Sequence, residues 1–281
     1  MSTTALLGDI GGTNARFARA VDGEIDPDSL LRLRNDDFPS FDALLVTVLD
    51  RIGPVGAISL SVAGPVSGGD VQMTNRPWVI RRSTLAEACG GPVEVMNDMT
   101  AFVLAVPHLR PDGVTTLREG QSSASGQWLV VNVGTGFNAA PGLWAGGRPL
   151  AVATEIGQTA LPATVADILR DHNLPVPAPS EALLSGPGLA RLRGQLEADS
   201  DAVFARCLGA ATRELITAFL PTAGVFFCGG VAEAMASGPA RDALDAALAR
   251  PYSPYAYLSD VPVRVITEPG AALRGCLAAL T

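Results

Sequence analysis

Hydrophobic positions along this chain come in short blocks broken by glycine, and the blocks alternate between strand-like and helix-like spacing. Residues 4–10 read T-A-L-L-G-D-I and residues 14–21 read N-A-R-F-A-R-A-V. They predict two strands joined by a tight turn at Gly11 and Gly12, with Asp9 near the end of the first strand and Arg16 near the start of the second. D-G-E at 22–24 predicts another turn, and residues 30–33 a third strand. Residues 41–52, F-D-A-L-L-V-T-V-L-D-R-I, carry apolar side chains at helical spacing behind Ser40 as N-cap. The run A-I-S-L-S-V at 57–62 predicts a buried strand that stops at A-G-P. A helix over 82–89 is expected to start from Ser83 as N-cap and to end at Gly90-Gly91. Residues 93–96 predict a strand, after which Asn97-Asp98 leads into a helix over 99–106 stopped by Pro107.

The opening design returns at Trp128 in W-L-V-V-N-V-G-T-G-F-N-A-A-P-G-L-W: apolar strand, glycine turn, second strand. This is a repeat of architecture, not of period. Beyond it the pattern predicts a helix over 165–171, a proline-rich loop P-V-P-A-P, and mostly helix over 187–220. A strand over 225–228 meets Gly229-Gly230, a helix follows over 240–249, a last strand over 263–266, and a closing helix over 270–280. Strands alternating with helices point to α/β layers.

The 281 residues suffice for two domains of ordinary size, and 48% hydrophobic with 17% charged residues predicts well-packed cores. A formal net charge of −8 leaves no basic footprint for nucleic acid and no polybasic membrane patch. It suits a neutral substrate, with any anion held by local backbone dipoles. Cys89, Cys207, Cys228 and Cys276 fit no zinc spacing and are expected to be buried free thiols in a reducing cytoplasm. Met1 leads directly into strand-like sequence, so a secretory signal is not expected. The uncharged run 215–232 is broken by Pro221, Gly224, Gly229 and Gly230, and reads as a strand and turn rather than a membrane span.

Three glycine turns carry the candidate chemistry. Gly11 and Gly12, with Thr13 and Asn14 at the rim, can tolerate positive φ and leave room for a ligand at the backbone. Such a turn aims N–H groups at an anion. Asp9 beside it would repel a phosphate unless a cation lay between, which suggests Mg²⁺ with a nucleotide phosphate. An ordinary hairpin is the plainer alternative. Gly134, Thr135 and Gly136 form a second candidate phosphate turn. Gly229 and Gly230, after a strand and before a helix, would let an adenine ring lie against the backbone.

With these residues in view, the chain resembles the bacterial glucokinase family of the actin-like ATPase and sugar kinase superfamily. The motifs that carry the resemblance are L-L-G-D-I-G-G-T-N-A-R, S-L-S-V-A-G-P-V, M-T-N-R-P-W, M-N-D-M-T-A-F, V-G-T-G, L-L-S-G-P-G-L and C-G-G-V. The resemblance implies a two-lobed α/β fold of ribonuclease H-like type, each lobe a mixed sheet flanked by helices, with a cleft between. Its lobes would be 1–108 with 268–281, and 109–267. It implies ATP-dependent phosphorylation of a hexose, glucose first, at the 6-hydroxyl, with Mg²⁺ held through water by Asp9. Asp98 would be the general base, with a helix cap as the bland alternative. Asn97, Glu155 and Glu181 would bind sugar hydroxyls, although both glutamates could be solvated surface residues. Gly64 and Pro65 would floor the sugar site, unless they form a simple turn. The partners implied are a sugar and a nucleotide, without nucleic acid or membrane, and with room for a homodimer.

Two positions depart from the family pattern. Gln158 stands where E-x-G-H places a sugar-contacting histidine, and neither His108 nor His172 replaces it by position. Asn138 stands where the family has glycine, and its tolerance of positive φ is expected to keep the turn with an altered phosphate grip. A helical stretch between Leu192 and Ala205 carried by longer members also looks absent. A sugar or nucleotide sensor with weak kinase activity, or a kinase for mannose, fructose or N-acetylglucosamine, therefore stays open. No helix-turn-helix segment precedes the first strand, which disfavours a DNA-binding repressor.

Overall fold

The first glycine turn closes the expected hairpin: β1 (Thr4–Ile10) and β2 (Asn14–Val21) pair antiparallel, with Asp9 opposite Arg16. The computed structural model describes residues 4–64, 66–67, 70–73, 76–249 and 256–281. Its contacts divide the chain into one unit of Met1–Leu109 with Pro269–Thr281 and a second of Arg110–Glu268.

In the first unit the hairpin is flanked by β3 (Glu24–Ile25) and β4 (Leu31–Arg34), both antiparallel to β2. Helix α1 (Phe41–Ile52) buries Phe41, Leu44, Leu45, Val48 and Ile52. Ser40 caps it as expected, its hydroxyl accepting the Ala43 N–H at 3.2 Å. Strand β5 (Ala57–Val62) is parallel to β1 and buried at every residue, which is why its sequence reads as a continuous run rather than an alternation. A small sheet of β6 (Val66–Ser67), β7 (Asp70–Gln72) and β8 (Val79–Ile80) was not legible in the sequence. Its strands are too short to show a period.

Helix α2 (Arg82–Cys89) follows, but Ser83 is not its cap. The N-cap position is Arg81, and Asp70 on β7 accepts the Arg82 N–H at 2.9 Å. A distant carboxylate thus meets one of the open N–H groups that Ser83 was expected to satisfy. Strand β9 (Val93–Asn97) pairs parallel with β5, and α3 (Asp98–Ala105) starts at once. Pro107 does not stop α3 directly; it lies inside the short 3-10 turn Val106–His108 that continues it.

The second unit opens with β10 (Val114–Arg118), which the sequence hides because only Leu117 among its five residues is fully buried. The second hairpin, β11 (Trp128–Val133) and β12 (Phe137–Ala145), forms as expected and gains β13 (Arg148–Ala151). Helices α4 (Ala163–Asp171), α5 (Gly186–Leu196) and α6 (Ser200–Phe219) precede β14 (Gly224–Cys228). Then come α7 (Gly230–Ser237), α8 (Arg241–Leu248) and β15 (Val263–Ile266). The described sheet runs β10-β15-β14-β11-β12-β13, with β11, β14 and β15 parallel. The chain then returns to the first unit as α9 (Ala271–Ala278). Each unit therefore joins an antiparallel hairpin to parallel strands with helices between them, and each has its own apolar core.

The four cysteines are free thiols. Cys207, Cys228 and Cys276 are buried, and burial pushes the thiols of Cys207 and Cys276 up. Cys89, at the end of α2, is only half-buried, contrary to expectation. No described helix is long and apolar enough to cross a membrane.

Two contacts yield stability tests. A Cβ on Gly275 of α9 would lie 1.8 Å from the Ala101 carbonyl oxygen of α3, whereas one on Gly194 of α5 would meet nothing within 4 Å. Gly275→Ala is expected to destabilise by about 1–3 kcal/mol through overpacking. Gly194→Ala is expected to stabilise by about 1 kcal/mol through helix propensity. Urea unfolding of both variants reads the opposite signs.

Arg193 of α5 grips Asp201 of α6 with two bonds of 2.8 Å, and this guanidinium holds the Asp201 carboxyl below the usual range. The pair is largely exposed, so its worth is at most about 1 kcal/mol. Because the folded pKa is the lower one, the contribution is complete above the unfolded value and disappears as pH falls through the folded value. Asp201→Asn should be slightly less stable than wild type at neutral pH, with the gap closing in strong acid. Melting curves across pH check it.

Candidate active site

The C-terminal ends of β1, β5 and β9 lie side by side in the first unit and bring Asp9, Gly64 and Asn97-Asp98 to one edge of the sheet. Adjacent strands are about 4.8 Å apart, so Asp9 and Asn97 stand roughly 10 Å apart across the sheet. This end of parallel strands is where α/β sheets present ligand sites.

Asp9 is held from two sides. Arg16 donates to its Oδ2 at 3.3 Å and the Ser61 hydroxyl to its Oδ1 at 3.3 Å. Burial pushes its carboxyl above the usual range, while Arg16 and Ser61 pull it back. The adjoining turn is closed by the Gly11 N–H on the Asn14 carbonyl at 3.0 Å. Gly11 and Gly12 are not among the described glycines at positive φ, so the freedom they offer there is not used. Space is the tighter demand, since a Cβ on Gly11 would lie 3.3 Å from the Asn14 carbonyl oxygen.

The carbonyls of this turn are all engaged. Asn35 donates its side-chain amide to the carbonyls of Gly11 and Gly12 at 2.8 and 3.2 Å, and its backbone N–H to Thr13 at 2.9 Å. Arg76 donates to the Gly12 carbonyl at 2.8 Å, lies over the Trp78 ring at 5.1 Å, and pairs with Asp36. Sequence reasoning missed both supports. Asn35 carried no motif at all, and Arg76 was visible only as part of M-T-N-R-P-W.

Asn97 is the N-cap of α3, its Oδ1 accepting the Thr100 N–H at 2.8 Å. That commits its acceptor and leaves its NH₂ as the donor it can offer. Asp98 occupies the first helical position and its Oδ1 accepts the Met99 N–H at 2.9 Å. Gly64 is a close-packing residue: a Cβ there would lie 2.7 Å from the Gln72 carbonyl oxygen. Pro65 lies outside the described residues.

In the second unit the structure brings Gly134–Gly136, Glu155, Gln158, Glu181 and Gly229-Gly230 around the β11–β12 turn. The Gly134 N–H turns inward to the Gly136 carbonyl at 2.9 Å, and its own carbonyl accepts the Gly186 N–H at the start of α5 at 2.7 Å. Gly134 therefore shapes the turn, with both its N–H and its carbonyl committed within the protein. Gly229, at φ +92°, sits where a Cβ would lie 2.5 Å from the Val133 carbonyl oxygen. Gly230 begins α7, whose N-terminus carries partial positive charge.

Glu181 lies against Gly136, where a Cβ would meet its Oε2 at 2.6 Å. The same oxygen accepts the Phe137 N–H at 3.1 Å, and Oε1 faces the Gln158 amide at 3.5 Å. Glu155 and Gln158 are exposed on the short turn that Gly157 anchors against the Phe137 carbonyl. Asn138 pairs with Asn132 in the hairpin ladder and is not among the described residues at positive φ. Its expected role as a glycine substitute in the turn is thus corrected: the turn closes before it.

These clusters combine carboxylates, a side-chain type that accepts from hydroxyl donors, with glycine turns, a backbone type that can present N–H groups to an anion. A family model described as Glucokinase matches residues 6–203 and 198–281. The glucokinase of Caulobacter vibrioides is 30% identical, over 98% of this chain and 95% of that relative. The glucokinase of Chromohalobacter salexigens is 29% identical, over 100% of this chain and 98% of that relative. The crystal structure of a glucokinase from an Antarctic psychrotroph matches with a TM-score of 0.82 at 25% identity, covering 99% of this chain and 98% of that one. The ROK family glucokinase from Streptomyces griseus shares the fold, with a TM-score of 0.61 at 18% identity over 100% of this chain and 99% of that one. The architecture is the α/β actin-like ATPase fold of ribonuclease H-like units. With matches that span both of its units, the chain belongs to the glucokinase family as a glucokinase-type hexokinase.

Proposed function

We propose that this protein transfers the γ-phosphoryl group of ATP to the 6-hydroxyl of a hexose, glucose first, with Asp98 as general base. The observation that carries the reading is the placement of Asp98, fixed by the end of β9 on one side and the first turn of α3 on the other. The partial positive charge at a helix N-terminus favours an acidic side chain at this position. Asp98 takes the hydroxyl proton as the new oxygen–phosphorus bond forms and the bond to the β-phosphate oxygen breaks, releasing ADP. Phosphoryl transfer asks little of the base beyond position, which a strand end and a helix start supply.

Asn97 donates its NH₂ to a sugar oxygen, and Glu155 and Glu181 accept from sugar hydroxyls. Gln158 stands beside Glu181 and takes the place of the histidine that the resemblance leads one to expect. Gly12, Thr13 and Asn14 in the first unit, and Thr135 and Gly136 in the second, provide the phosphate-facing turns. Gly229 and Gly230 leave room for the nucleotide base. The Streptomyces griseus relative, solved in complex with glucose and AMPPNP, and the Balamuthia mandrillaris glucokinase, solved in complex with glucose, support this pairing of ligands.

The residues fit a Mg²⁺ that arrives with the nucleotide. Among the described residues no cluster of three or more His, Cys, Asp or Glu side chains could cage a metal. Mg²⁺ bound with a nucleotide needs only one or two carboxylates besides water and phosphate. Asp9, a desolvated carboxylate next to the first turn, would hold it through water. The ion neutralises phosphate charge when bound.

Mg·ATP-dependent ADP release against a panel of hexoses tests the reading. Turnover with glucose is expected, and turnover with no hexose would overturn it. In Asp98→Asn, kcat should fall about 10²–10⁴-fold with a small change in the KM for glucose. Undiminished activity would remove Asp98 from the base role.

Asp9→Asn keeps the fold and loses the carboxylate. The unliganded variant should melt within a few degrees of wild type, because desolvation of Asp9 already opposes its charge. The rise in Tm caused by Mg·ATP should shrink to below half. An undiminished rise would exclude Asp9 from the Mg²⁺ site.

A further inference from the structure

Asn138 has a backbone like any strand residue and a side chain that behaves like a second backbone. The β12–β13 ladder runs from Gly142 opposite Ala151 to Ala145 opposite Arg148, and Val152 extends it by donating to the Pro141 carbonyl at 2.9 Å. Beyond that point the chain holds to β12 through side chains. The Thr154 hydroxyl reaches the Ala139 carbonyl. The Asn138 amide donates to the Thr154 carbonyl at 2.8 Å, and its Oδ1 accepts the Ile156 N–H at 2.9 Å. The same Oδ1 accepts the Ala139 N–H at 2.8 Å, which fixes the side chain against its own strand. Nδ2 also faces Glu155 Oε2 at 3.5 Å. One amide therefore grips the chain immediately before and immediately after Glu155 and touches its carboxylate.

We propose that Asn138 is a positioning residue that sets Glu155 for sugar binding, an inference that rests on the reading of Glu155 as a sugar ligand. Hydrogen, with no side-chain amide, could make none of these bonds, so a glycine here would leave the segment around Glu155 to the Thr154 hydroxyl and Gly157. The neighbouring Phe137 N–H holds Glu181. Residues 137 and 138 thus mount both sugar carboxylates on the strand that leaves the glycine turn. In this chain Asn138 tunes the sugar side of the reaction, and the turn keeps its shape through Gly134 and Gly136.

The test is a double-mutant cycle of Asn138→Ala and Glu155→Gln, with KM for glucose, KM for ATP and kcat measured for each enzyme. Asn138→Ala is expected to raise the KM for glucose about tenfold, with smaller changes in kcat and in the KM for ATP. In the Glu155→Gln background the same substitution is expected to add little. A KM for glucose unchanged by Asn138→Ala, or an equal rise in both backgrounds, overturns the inference. A KM for glucose unchanged by Glu155→Gln instead removes Glu155 from the sugar site, a different failure. If Asn138→Ala does not fold, Asn138→Asp carries the test. It keeps both accepting bonds, loses the donor and sets a like charge beside Glu155. Its KM for glucose should rise at least as much, and an unchanged value overturns the inference.

Discussion

Backbone packed directly on backbone at the open end of the β11–β12 hairpin is the constraint on which the second unit's site depends. Gly157 lies under the Phe137 carbonyl, Gly229 lies against the Val133 carbonyl, and the Gly186 N–H bonds the Gly134 carbonyl. No side chain fits at the first two contacts without displacing backbone. Three segments far apart in sequence meet one turn for this reason. Their meeting places Glu181 on the Phe137 N–H and Glu155 beside the Asn138 amide. The glycines act through what they omit, and the carboxylates occupy the space that remains.

The two units repeat one design and secure it differently. In the first, the turn after β1 is held by residues that reach in from elsewhere: the side chains of Asn35 and Arg76 occupy the carbonyls of Gly11 and Gly12, and the Asn35 backbone N–H that of Thr13. In the second, the turn is held by glycine contacts and the start of α5. The first solution commits buried polar groups, the second close packing. Both tie a turn's carbonyls to the protein, and a turn held in this way can face an anion without rearranging.

Several residues of the proposed site are also tied into the fold by their own side chains. Asn97 caps α3 with its oxygen and keeps its NH₂ to donate. Glu181 ties down Phe137 with one oxygen and faces Gln158 with the other. Asp9 is the opposite case: its desolvation opposes the charged form, a cost that Arg16 and Ser61 offset only in part. Such a carboxylate suits a site completed by a cation.

Much of the fold was legible because apolar spacing and glycine turns are local signals. Both hairpins, α1 with its Ser40 cap, the strand ends at Asp9 and Asn97, and the turn at Gly229 all stand in the sequence. The strands that were missed, β3, β10, β13 and the small sheet of β6, β7 and β8, are short or mostly exposed and so leave no period. Ser83 looked like a cap because cap chemistry is local; Asp70 met the need from a distance. The sequence by itself determined which residues carry charge, which turns can be tight, and which strand ends hold an acid. Only the tertiary structure decided that Asn35 and Arg76 hold the first turn, that Gly134 spends its N–H internally, and that Asn138 brackets Glu155. Those outcomes depend on hydrogen bonds between residues up to 64 positions apart, and no local pattern of polarity records which distant partner a polar group will meet.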